Sequence, residues 1–75
     1  LTRSQALGEF VFLNLRQLEG FPRGQFARRF GIEFVDAFPH VADLIAGGLL
    51  VEEDGKIRLT FQGLLLADSI FASFF

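Results

Sequence analysis

No cysteine and only one histidine occur in this chain, so neither a disulfide nor a zinc or iron–sulfur site built from these residues can staple it. At 75 residues that restriction is decisive. A chain of this size buries only about 60% of the surface its unfolded form exposes, and apolar packing, within the domain or against a second surface, has to hold it. Apolar side chains are plentiful: 51% of the residues are hydrophobic and 21% are charged. That is too apolar for a disordered tail and too often interrupted by charge for a membrane span. Eleven residues are phenylalanine, with no Trp, Tyr or Met. The length fits one domain and is too short for a substrate cleft, a cofactor domain and a lid together. Composition therefore predicts a single folded domain with more apolar side chains than its own core uses.

Seven Arg and Lys against nine Asp and Glu give a net charge of −2, which disfavours a domain whose main task is neutralising phosphates. Residues Leu1 to Glu9 lack the basic flank and apolar run of a signal peptide, and cysteine is not used; a cytoplasmic location is expected. The chain starts at Leu1-Thr2-Arg3 without a Met and is expected to be a piece of a longer protein.

Periodicity predicts mainly helix with one small β-hairpin. From Thr2 to Leu18 the apolar residues Leu7, Phe10, Val11, Leu15 and Leu18 recur at helical spacing, with Gly20 as a left-handed stop before Phe21-Pro22. A second helix runs from Arg23 to Phe30 and ends at Gly31. It places Phe26 and Phe30 on one face and Arg28 and Arg29 outside. Glu33 to Ala46 is again helical, with Phe34, Phe38, Ala42 and Ile45 inward and a break or kink at Pro39. After Gly47-Gly48, Leu49 to Leu59 reads as a hairpin around Asp54-Gly55, a type I′ turn signal. Its register sets Glu53 opposite Lys56 and Val51 opposite Arg58, leaving Leu50, Ile57 and Leu59 on the other face. Thr60 is the N-cap of a last helix from Phe61 to about Ser73. Three helices, a hairpin and a final helix are the layout of a winged-helix variant of the helix-turn-helix domain, a reading at the level of fold alone.

A helix-turn-helix domain that reads DNA presents Arg, Lys, Asn or Gln on its second motif helix. Here that helix carries Glu33, Asp36, His40 and Asp43 and no basic residue, a surface that repels phosphates. Arg28, Arg29, Lys56 and Arg58 could touch a backbone, but they serve equally as an ordinary solvated surface. The scaffold without the charge points to contact with protein.

The surplus apolar residues have an address. On a helical wheel Glu9 and Arg16 lie opposite the core stripe of the first helix, with Phe12 on one side of them and Leu13 on the other. Large apolar side chains flanking a polar face point to a second surface over it, the alternative being hydrophobes scattered singly on an ordinary surface. Glu9, Phe12, Leu13 and Arg16 are therefore the candidate interdomain contact. The last helix is similar: Gln62, Ser69 and Ser73 form a narrow polar stripe, and apolar residues spread over the rest. Asp68 falls among Phe61, Leu64 and Phe71, where it is either exposed at an edge or paired with an arginine. The isolated domain is expected to self-associate through these faces.

Residues that carry chemistry are scarce. Gly47-Gly48 precedes a strand, the wrong context for a phosphate loop, and Ser4, Ser69 and Ser73 have no local His–acid constellation. His40 is the one candidate for acid–base or ligand work, and beside Pro39 it reads as a surface residue. No catalytic, cofactor-binding or metal-binding residue is assigned within these residues, which are not expected to be an enzyme alone.

One resemblance adds to this. The spaced set Glu9-Phe10-x-x-Leu13-x-Leu15-Arg16-x-x-x-Gly20, Phe26-x-x-x-Phe30-Gly31, Gly48-Leu49-Leu50 and Leu59-Thr60-x-x-Gly63 resembles the C-terminal domain of the oxygen-independent coproporphyrinogen III oxidase family, which includes haem chaperones, over nearly the whole chain. The resemblance implies a parent with an N-terminal radical S-adenosylmethionine barrel whose Cys-x-x-x-Cys-x-x-Cys motif holds a [4Fe–4S] cluster, outside these residues. It implies oxidative decarboxylation of two propionates of coproporphyrinogen III in the oxidases and haem transfer in the chaperones. The ending at Phe74-Phe75 is more similar to the chaperone branch, and Pro39 departs from the family's continuous helix. A C-terminal accessory domain that docks on the barrel and helps shape its tetrapyrrole site is the expectation. The alternatives are a nucleic-acid-binding winged helix and a free-standing protein-interaction module.

Overall fold

The computed structural model describes residues 1–75 as six helices and a three-stranded antiparallel sheet. Helix α1 spans Arg3–Leu15; strand β1 is Phe21–Pro22; α2 is Arg23–Phe30, α3 Phe34–Ala37 and α4 Val41–Ala46. Strands β2 (Leu50–Glu53) and β3 (Lys56–Leu59) precede α5 (Phe61–Leu65) and α6 (Ala67–Ala72). No helix is long and apolar enough to cross a membrane.

Local signals set most of these boundaries. Thr2 and Gln5 close a capping box at the start of α1: Gln5 N–H donates to Thr2 Oγ1 at 3.1 Å, and Thr2 N–H donates to Gln5 Oε1 at 3.0 Å. The helix ends at Leu15, earlier than the apolar spacing predicts, and Leu18 lies outside it and is exposed. Gly31 ends α2 in the left-handed conformation. Pro39 divides the next helix in two, and the break turns α4 so that Val41 is buried while Ala42, expected inside, faces solvent. Proline cannot donate the helical hydrogen bond and crowds the preceding turn, so the helix restarts in a new phase.

Asp54 and Gly55 both adopt positive φ, as a two-residue hairpin turn requires. The pairing runs Leu50↔Leu59, Val51↔Arg58, Glu52↔Ile57 and Glu53↔Lys56, the register expected from a two-residue turn. The charge pairing within the hairpin is diagonal instead: Arg58 reaches Glu53 at 3.2 Å, while Glu52 pairs outside it with Arg23 of α2 at 3.0 Å. The hairpin is not alone, because β1 pairs with β3 and gives the sheet order β1-β3-β2. Two residues containing a proline carry no periodicity, so the third strand had no signal in the sequence.

The core is largely aromatic. Phe10, Phe21, Phe26, Phe34 and Phe74 are buried with Val11, Leu15, Val41, Leu50, Ile57, Leu59 and Ile70. Phe10 meets the Phe21, Phe26 and Phe30 rings edge-on at 5.4, 5.5 and 5.6 Å, the arrangement that aromatic quadrupoles favour. Six Phe remain partly or wholly outside this set, and Phe61 and Phe75 are exposed.

The last helix, predicted as one, breaks at Leu66 into α5 and α6. Thr60 caps α5 as expected: its Oγ1 accepts from Gly63 N–H at 3.0 Å and donates to the Gly48 carbonyl. The fold class read from the sequence, mainly helical with a small antiparallel β element, holds in this coarse form.

Candidate docking surface

Helix α1 positions the four residues singled out by the wheel on its outer side, because Phe10, Val11 and Leu15 anchor the opposite side in the core. Glu9 is exposed, Leu13 is 53% exposed, and Arg16 is the exposed C-cap residue. Phe12 is half-buried: its ring meets Phe71 of α6 edge-on at 5.4 Å, and the Arg16 guanidinium lies 5.0 Å over it. A cation over an aromatic face holds Arg16 beside Leu13 without consuming its charge. The ion pairs of the domain lie elsewhere, Arg23 with Glu33 and Glu52, and Arg58 with Glu53. Glu9 and Arg16 thus flank an apolar step formed by Phe12 and Leu13.

A second apolar surface is larger. Phe61 is 75% exposed and Leu65 70%, with Leu64 and Leu66 beside them. The excess on the last helix was legible as a crowded wheel, but the individual residues were not, because the break at Leu66 re-phases the segment. The run Leu64-Leu65-Leu66 was the available signal: three consecutive large side chains cannot all face one core.

Other candidates resolve into structural roles. His40 is half-buried between aromatic rings, 4.9 Å from Phe74 and 6.1 Å from Phe38. Ser73 Oγ spends its proton on the Ile70 carbonyl at 2.6 Å, so His40 Nε2–H donates to Ser73 Oγ at 2.9 Å. The imidazole ties α4 to the end of α6. Asp68 is exposed, the first of its two alternatives. On the α3–α4 side the exposed charged residues are Glu33, Asp36 and Asp43, all acidic. Arg28 and Arg29 are exposed on α2, and Arg29 lies over the Phe30 ring at 5.3 Å. No three His, Asp or Glu side chains converge at metal-binding spacing.

The family model of the HemN C-terminal domain matches residues 1–66. The chain belongs to this family. It is also 33% identical to the heme chaperone HemW of Bacillus subtilis (strain 168), a match over 99% of this chain and 20% of that protein. It therefore spans about one fifth of the length of this curated relative. No solved structure gives a significant match.

Three of the motif residues, Gly20, Thr60 and Gly63, are architectural in this HemN C-terminal domain. Gly20 has φ +68°, and a Cβ there would lie 1.8 Å from the Ile57 carbonyl oxygen. Only glycine lets the chain turn this close to β3. Gly63 is similar: a Cβ would lie 2.0 Å from the Leu49 carbonyl oxygen, so its absence lets α5 pack onto the start of β2. Thr60 connects the same two elements by its two hydrogen bonds.

Proposed function

We propose that this domain is a non-catalytic accessory part of a larger haem-related radical S-adenosylmethionine protein, with a winged-helix-like arrangement whose hairpin is the wing. It docks on an N-terminal barrel of the same chain through Glu9, Phe12, Leu13 and Arg16 and helps shape the tetrapyrrole site there. The observation that carries this reading is the pairing of a C-terminal-domain family match with an apolar, charge-flanked α1 surface that the domain itself leaves half uncovered.

Several observations support it. The curated relative is about five times longer than this chain and is named for haem, which leaves room for the barrel, its [4Fe–4S] cluster and S-adenosylmethionine outside these residues. The only polar clasp around the histidine is a Ser–His contact between helices, a structural arrangement with no acid partner to make a nucleophile. Arg16, held over Phe12 beside Leu13, is placed to meet a carboxylate across an interface, where a partly desolvated pair is worth more than on a free surface. The cytoplasmic location and the haem-transfer branch belong to the same proposal.

The test uses the full-length parent. Reversing the charge with Arg16→Glu, or polarising the step with Leu13→Ser, should speed protease cleavage between barrel and domain by several-fold. The melting of the isolated domain should stay nearly unchanged, since both side chains face solvent. Unchanged cleavage in both variants would overturn the docking assignment. Haem titration of the same proteins, read beside coproporphyrinogen turnover, separates the chaperone from the oxidase.

A further inference from the structure

Residues Leu64 to Ser73 contain neither glycine nor proline, and Leu64-Leu65-Leu66-Ala67 are among the strongest helix formers. The chain nevertheless breaks there, with Leu66 at φ −117° and ψ 23°. Leu66 N–H turns back to the Gly63 carbonyl at 3.0 Å. No side chain caps α6. Local preference and tertiary structure disagree at this one residue.

Folding back α6 seats two core residues. Ile70 and Phe74 are buried, and the Phe74 ring stacks on Phe34 at 5.9 Å and meets Phe38 edge-on at 4.8 Å. Gly8 has no side chain where the Phe74 carbonyl crosses α1. Yet the one side-chain hydrogen bond from residues 67–75 to the rest of the chain is His40 to Ser73. The segment is held by side-chain burial and a single clasp.

We propose that Leu66 is a hinge: α5 and α6 straighten into one helix, which lifts Phe74 out of its seat, and the vacated seat takes the same segment from a second copy of the chain. The second copy is the occupant because the seat is already fitted to this sequence. Exchange recreates the contacts of Ile70, Phe71, Ser73 and Phe74 in the partner, which makes it a low-cost route to a dimer. Straightening also gives the N–H groups of residues 67, 68 and 69 their helical acceptors at residues 63, 64 and 65. Leu64, Leu65 and Leu66, exposed in the single chain, lie on the hinge that two exchanged copies bring together. This inference goes beyond the docking assignment and does not rest on it.

The chain is held at millimolar concentration, diluted, and separated by size exclusion with light scattering. A dimer that returns slowly to monomer is expected. In a dimer mixed from isotope-labelled and unlabelled copies, filtered NOE spectra should connect Phe34 with Phe74, and Phe12 with Phe71, across the two copies. Ala67→Pro should lower the dimer association constant by about 100-fold or more, because proline cannot occupy the interior of the straight helix but is tolerated in the first turn of α6. Leu66→Gly, which removes no donor, should lower it about threefold. Leu13→Ser should leave it unchanged. A chain that stays monomeric at every concentration, a dimer without those intermolecular contacts, or a dimer lost with Leu13→Ser and retained in both hinge variants would overturn the proposal.

Discussion

Two residues near the end of the sheet show how the family pattern works. Thr60 satisfies one donor at the start of α5 and one acceptor at the end of the preceding helical segment, through Gly63 N–H and the Gly48 carbonyl. Gly63 supplies the space that lets those elements meet, with the Leu49 carbonyl oxygen 2.0 Å from where a Cβ would be. Their substitutions should differ in kind. Thr60→Ala loses a cap and should cost about 1–2 kcal/mol. Gly63→Ala forces backbone against backbone and should cost about 3 kcal/mol, the upper end of overpacking. Urea unfolding of the two variants checks the order; equal costs would mean that α5 shifts off β2 easily.

At the scale of elements, the sequence was legible wherever one local signal acted alone. The stop at Gly31, the break at Pro39 and the turn at Asp54-Gly55 each stand where the structure has them. The register of β2 on β3 followed from the two-residue turn at Asp54-Gly55, and a one-residue slip would have exposed Leu50 and Leu59. Illegible features arose from tertiary contact. Leu18 continued the helical spacing but lies past the end of α1, where the chain already turns toward Gly20. The break at Leu66 has no sequence signal at all, since only the seating of Ile70 and Phe74 favours it. Of the candidate site, the α1 quartet was visible on a wheel, whereas the α5 surface depended on that unseen break. Strand β1 was missed for lack of length, yet its Phe21 is 1% exposed and meets Phe10 at 5.4 Å and Phe34 at 5.2 Å, both edge-on. Phe21→Ala should therefore cost about 3–5 kcal/mol, which is most of the stability of a domain this small. Circular dichroism melts would show it as a chain largely unfolded at room temperature; a cooperative transition near the parent's temperature would place β1 outside the essential core.

For the whole molecule the controlling quantity is how its apolar side chains are divided. Twelve residues form one core that draws on five of the six helices and all three strands, and it accounts for the folding of a chain without disulfide or metal. Phe61 and Leu65, 75% and 70% exposed, stand outside that account: leaving them in water gains the domain almost nothing on folding. Replacing both, as Phe61→Ser with Leu65→Gln, should move stability by no more than about 0.5 kcal/mol, as for other surface substitutions. Solubility should rise and face-to-face self-association in dilute solution should fall, because a contiguous exposed apolar patch is what such association uses. Sedimentation velocity alongside thermal melting checks both halves at once. A melting temperature lowered by many degrees would mean that these side chains stabilise the isolated fold after all. An unchanged melting temperature with unchanged sedimentation would move the sticky surface from α5 to α1. In that case the step at Phe12 and Leu13, between Glu9 and Arg16, would be the surface to examine next for how the domain meets a partner.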